Sequence, residues 1–191
     1  MRKLILSLAA VAFVTGSALA SQVNFNLGYD LAGSMSASKN ASGSMDVNSG
    51  INLGAEYLFS TSRVFKIGGG LKYLLARETD PELFEFSYLP IYLAVQWNPM
   101  GRSQEGNGLF FRGNLGYNIF SNNSPSYEAR YGSQTDSGGI YLGFGAGWEF
   151  SFGLVVSLSY DLLYGSSKFG VLDVGYSYGK TGLNVGYKLN I

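Results

Sequence analysis

The residues able to do chemistry in this chain are carboxylates, ammonium and guanidinium groups, and hydroxyls; histidine and cysteine are absent from all 191 positions. That removes an imidazole acid or base, a thiol nucleophile and a thiolate metal site, and it leaves no disulfide framework. Nine charged residues share a pattern. Asp30, Asp46, Glu56, Glu149 and Asp161, with Lys66, Lys72, Arg112 and Lys188, each occupy the polar position of a segment in which apolar and polar residues alternate. Alternation places them on one face of a strand. Brought together in a confined space, such a near-balanced set is expected to pair, because an unpaired buried charge is costly.

Three further patterns have a chemical reading and a simpler one. Ser157 and Ser159 share the face of Lys66 and Lys72, the makings of a serine with a lysine base, but they also suit small polar filling. Gly143-x-Gly145-x-Gly147 echoes a nucleotide-binding loop, yet no helical pattern follows, and room for Tyr141 or Arg112 is the better explanation. Glu78, Asp80, Glu82 and Glu85 offer oxygen ligands to a divalent cation, although an acidic stretch facing solvent needs no ion. Taken together, these residues lead us to expect no enzyme, no cofactor and no metal.

The elements that must position the nine charges follow from a hydrophobic period of two. Val23 to Leu31 alternates, as do Val47 to Phe59, Phe65 to Leu75 and Leu89 to Trp97. The second half repeats the scheme over Leu109 to Ile119, Ile140 to Phe150, Leu154 to Tyr164 and Leu183 to Ile191. Pro90 lacks an amide donor, so a bulge or local weakness is expected there. Connections alternate between tight (60–63 and 151–153) and long (32–44, 76–83, 121–137 and 165–180), the long ones rich in Ser, Gly, Asn and Asp; only the turn from Asn98 to Asn107 is longer than the short side should have. Eight antiparallel strands joined in this way make an up-and-down barrel, all-β, with its long loops on one side.

Which face is inside decides the solvent. An eight-stranded barrel has room only for side chains, so the face carrying Asn, Gly, Ser and charge suits the interior, and Leu, Ile, Phe, Tyr and Trp point outward. An outward apolar face is stable only in a bilayer. Tyr57, Phe59, Phe65, Trp97, Trp148, Phe150 and Phe152 near the tight turns, and Tyr29, Tyr73, Tyr117, Tyr160 and Tyr164 nearer the loops, read as two interfacial girdles.

The first residues fit this. Arg2 and Lys3, the apolar run Leu4 to Val14 and the small-x-small Ala18-Leu19-Ala20 form an export signal cut after Ala20, leaving a barrel domain over residues 21–191. The chain holds 13 basic and 13 acidic residues, and without Arg2 and Lys3 the basic count is 11, so there is no basic footprint for nucleic acid.

With these features the chain, from Met1 to Ile191, resembles the small outer-membrane β-barrel proteins of the OmpA, OmpX and OmpW type. The resemblance implies an outer membrane of a Gram-negative-type bacterium as the location, with outer-membrane lipid and lipopolysaccharide as surroundings. It also implies that Leu183, Val185, Tyr187, Leu189 and Ile191 of the last strand are read by the barrel-assembly machinery during insertion. The expected role is structural, or interaction through the long loops with a surface partner that the sequence does not name, around a lumen plugged by paired charges. The alternative is a narrow, porin-like passive channel for small solutes.

Overall fold

The computed structural model describes residues 21–39, 43–80, 85–100, 107–122, 134–169 and 172–191, so the expected signal segment over residues 1–20 lies outside the described residues. Ten strands form: β1 (Ser21–Asp30), β2 (Gly33–Lys39), β3 (Gly43–Val47), β4 (Gly50–Ser60), β5 (Phe65–Asp80), β6 (Glu85–Trp97), β7 (Gly108–Asn122), β8 (Gln134–Glu149), β9 (Leu154–Phe169) and β10 (Leu172–Asn190). Eight of them, β1 and β4 to β10, pair antiparallel in turn, and β10 returns to β1 from Gln22↔Asn190 to Asp30↔Gly182, which closes the ring. The ring leaves no free sheet edge along the wall, as a spanning barrel needs.

The outward face is apolar as the alternation requires: Leu93 is 62% exposed, Leu115 59% and Leu158 55%. The tight turns at one end have local causes. Ser62 Oγ accepts from the amides of Val64 and Phe65 at the β4–β5 turn. Gly153 closes the β8–β9 turn at φ +101°, where a Cβ would also press on the Tyr187 ring.

The other end departs from the sequence expectation. The stretch 32–44, read as a loop, is largely the hairpin β2–β3. Ser34 to Lys39 pairs with Gly179 to Val174 of β10, and Asp46 and Val47 pair with Asp80 and Thr79 of β5. Above the point where β1 ends and β4 has yet to begin, the hairpin takes their place in the wall. The stretches 76–83 and 165–180 are mostly strand as well, with β9 and β10 paired out to Phe169↔Leu172. Ser, Gly and Asn suit a strand that has water outside, so composition there marks the end of the lipid, not of the sheet.

Pro90 leaves a gap in the β5–β6 ladder between Leu71↔Ile91 and Leu74↔Tyr88, while the register shift falls further up, between Leu74 and Arg77. That shift turns Leu75 and Ala76 both outward and brings Arg77 inside.

Candidate functional site: the charged interior

Each inward charge is aimed by strand parity. Asp30 ends β1, Glu56 and Lys66 flank the β4–β5 turn, and Lys72 lies further up β5. Arg112, Glu149, Asp161 and Lys188 come from β7, β8, β9 and β10 in order. All eight face the interior, and apart from Arg112, whose side chain is 13% exposed, all are buried. Asp46 does not join them: it lies on the outer face of β3, with Val47 turned inward in its stead. Residues 48 and 49 are not strand, so the alternation of β4 does not carry back into β3.

Near the tight turns, Glu149 is the centre of a layer. It accepts from Lys66 Nζ at 2.8 and 2.9 Å, from Lys188 Nζ at 3.2 Å and from Gln96 Nε2 at 2.7 Å. Lys66 also donates to Gln22 Oε1 at 2.8 Å. At mid-height Glu56 accepts from the Arg112 guanidinium, from Tyr92 OH at 2.9 Å and from Asn24 Nδ2 at 3.5 Å. Arg112 donates to Gln96 Oε1 at 2.6 Å, which ties the two layers, and its guanidinium lies 4.9 Å from the centre of the Phe110 ring.

The upper layer joins two carboxylates. Asp161 is met by Lys72 Nζ at 2.9 Å, Lys180 Nζ at 3.0 Å and Tyr141 OH at 2.7 Å. Lys180 also reaches Asp30 at 2.6 Å, and Asp30 takes further donors from Arg77 Nη2 and, at 2.8 Å, from Asn52 Nδ2. Each buried carboxylate is thus held by three donors, which answers the desolvation cost of burying it.

Arg77 and Lys180 were not legible as interior residues. Both fall in stretches read as loops, and Arg77 has the wrong parity until the register shift is taken into account. With them the described interior ion pairs join four carboxylates to six cations, an excess of positive charge instead of the expected near balance.

Above the ion pairs the interior is dominated by rings, with Thr79, Ser87 and Ser167 buried among them. Phe86, Tyr88, Phe120, Tyr176 and Tyr178 form one cluster, with Phe86 edge-on to Tyr88 and Tyr178 at 5.5 Å each and Tyr88 stacked on Tyr178 at 6.2 Å. Met35 and Val47 of the hairpin, with Leu74 and Leu163, close around it. Large rings therefore do enter the interior, on β6, β7 and β10, where glycines opposite leave room.

The remaining patterns resolve as follows. Gly143 and Gly147 face Tyr141 OH and the Phe110 ring at distances that exclude any side chain. Ser159 Oγ accepts from Asn184 Nδ2 at 3.1 Å, while the ammonium groups of Lys66 and Lys72 are held by Glu149 and Asp161. Glu78 and Asp80 lie on the outer face of β5, opposite Glu85 and Asp46, and Glu82 lies outside the described residues. Among the described residues, no group of three or more acids stands close enough to hold a metal ion.

A closed antiparallel ring of eight up-and-down strands is the fold of the small outer-membrane barrels of the OmpA, OmpX and OmpW type. Among solved structures the chain is similar to OprG from Pseudomonas aeruginosa, at 13% identity and a TM-score of 0.61 over 90% of this chain and 96% of that one. It is similar also to AlkL, at 12% and 0.54 over 91% of each chain. Neisserial surface protein A matches at 14% and 0.50, over 88% of this chain and 97% of its own. No family model and no curated protein matches the sequence.

Proposed function

We propose that this protein is an integral outer-membrane barrel of a Gram-negative-type bacterium, exported by a signal over residues 1–20, with a closed interior and a structural or surface-interaction role on its loop side. The observation that carries this reading is the contrast between the two faces: lipid-type side chains outside, and inside a stack of ion pairs under a cap of rings. Its surroundings are outer-membrane lipid and lipopolysaccharide. The structural likeness to OprG and AlkL, both outer-membrane proteins, supports the compartment. Leu183, Val185, Tyr187, Leu189 and Ile191 all point outward on or just beyond β10, accessible to an assembly machinery that reads the last strand.

The absence of cysteine makes the orientation directly testable. A Ser36→Cys variant, exposed on the hairpin, is expected to react with an impermeant maleimide on intact cells, while Arg63→Cys at the β4–β5 turn reacts only after the outer membrane is opened. Labelling of Arg63→Cys alone on intact cells would invert the orientation, and labelling of both only in the soluble fraction would remove the membrane reading.

A further inference from the structure

The hairpin β2–β3 is held unequally on its two sides. On one side β2 pairs with β10 from Ser34↔Gly179 to Lys39↔Val174, and just below it Leu31 N donates to Thr181 O at 2.8 Å. On the other side, among the described residues, β3 meets β5 at Asp46↔Asp80 and Val47↔Thr79, with Asn48 N donating to Glu78 O at 3.0 Å. Pro81 follows Asp80 directly and has no amide proton to give a further rung. Both strands of the wall also break at one level, at residues 31–32 and 48–49, so neither β1 nor β4 runs unbroken into the hairpin.

The short seam also carries a charge conflict. Asp46 and Asp80 are direct partners on the outer face, both exposed, and among the described residues neither meets a cation. Glu78 and Glu85 are the next opposed pair on that face. Like charges placed directly opposite weaken a sheet, and their exposure leaves the repulsion open to screening by salt. Four carboxylates on one outer face also mark this seam as standing in water and not in lipid. Against the repulsion stands an apolar hold, since Val47 and Met35 turn inward to the ring cluster and are 1% and 0% exposed. The base of the hairpin has space beside it: a notch of about 560 Å³ opens outward over Ala32, Gly33 and Ser34, between Asp80 and Tyr160. Gly33 seats that base on β10, where a Cβ would come within 2.5 Å of Gly179 O.

We propose that β2–β3 is a flap, hinged on β10, whose β3 edge swings away from β5 and opens the ring-lined upper interior to water on the loop side. Burial of Val47 and Met35 sets the closed state, and the opposed carboxylates set how often it is left. Local opening draws on the least-held part of a fold, and here that part is one seam of the upper wall. The charges of the ion-pair layers are carried by β1, β4, β5 and β7 to β10 and none by the hairpin, so those layers keep their partners when it moves. The flap gives a use to the Asp46 and Asp80 pair, which a permanently closed wall does not need.

The test begins with amide hydrogen exchange on the refolded, isotope-labelled protein in micelles. Leu31 and Asn48 stand at the same break in the wall, one donating to β10 and the other to β5. After correction for intrinsic rates, the Asn48 amide is expected to exchange on the order of tenfold faster than that of Leu31, and more slowly as salt screens the carboxylates. The second arm uses the absence of cysteine: Val47→Cys and Ser167→Cys, both buried in the upper wall, are treated with an uncharged, water-soluble maleimide. Val47→Cys should react severalfold faster than Ser167→Cys, and adding Asp80→Asn or salt should slow Val47→Cys alone. Equal exchange at Leu31 and Asn48, or a Val47→Cys rate that neither Asp80→Asn nor salt changes, would overturn the flap. If a cysteine variant does not fold, the native exchange rates and their salt dependence decide. These rates report the hairpin, whereas current in planar bilayers reports the interior below it, so failure of the flap and failure of the closed-barrel reading are told apart.

Discussion

At the residue scale, Lys180 is the hinge of the upper ion-pair layer, because one ammonium serves both Asp30 and Asp161. Lys180→Met leaves two buried carboxylates each short of a cation, and the barrel is expected to lose about 3–5 kcal/mol in urea unfolding from micelles. A loss below about 1 kcal/mol, the usual worth of an exposed pair, would mean that the layer is solvated. The Glu56 and Arg112 pair tests the same physics by coupling. Arg112→Gln should destabilise alone, and adding Glu56→Gln should recover most of that loss, since no orphan charge remains; simple additivity would contradict the pairing. Eight of the nine charges singled out by alternation do face the interior. Parity along a strand is local and needs no knowledge of the fold. Asp46 and Arg77 escaped because the breaks in parity at residues 48–49 and 75–76 arise from pairing with distant strands, which no local pattern records, and Lys180 escaped because its stretch reads as a loop.

At the scale of elements, the hairpin β2–β3 gives the barrel an upper wall with its own core. Met35 is fully buried there, while Ser36, its neighbour on the same strand, faces out. Met35→Ala is expected to cost about 2–5 kcal/mol and Ser36→Ala less than about 0.5 kcal/mol in the same unfolding assay. Equal costs would place the hairpin off the wall. On the lipid face, Leu115→Arg on β7 and Leu158→Arg in the lower half of β9, both exposed on the outside, should each cost roughly 2–4 kcal/mol, and the inward Asn114→Ser clearly less. If Asn114→Ser is the more damaging, the assignment of faces is inverted. The eight wall strands were legible because each shows a period of two against lipid. The hairpin and the upper parts of β9 and β10 were not, since both of their flanks are polar or glycine-rich and the alternation fades where water replaces lipid.

At the scale of the whole molecule, the strands are longer than a bilayer needs. The 16 residues of β9, at about 3.3 Å each and a tilt near 40°, reach roughly 40 Å, against an apolar band of about 25 Å. The excess is the upper wall, and its aromatic core sits across the barrel above the ion pairs. A solute following the axis meets the Glu149 layer, the Asp30 and Asp161 layer and then the rings, so two kinds of barrier lie in series. The sequence disclosed the first through its charges. The second is built from Tyr, Phe and Met at inward positions of stretches read partly as loops, and it appears only once the strands are seen to continue. The central claim is that this interior is closed. Ionic current through the refolded, unmodified protein in planar bilayers tests it most directly. The account predicts no steady conductance across a wide voltage range, with the protein shown by its heat-shifted gel mobility to be folded and inserted. A large, steady, ohmic current that survives Arg112→Gln and Glu149→Gln unchanged would contradict it, because the solute path would then avoid the residues that are here assigned to block it.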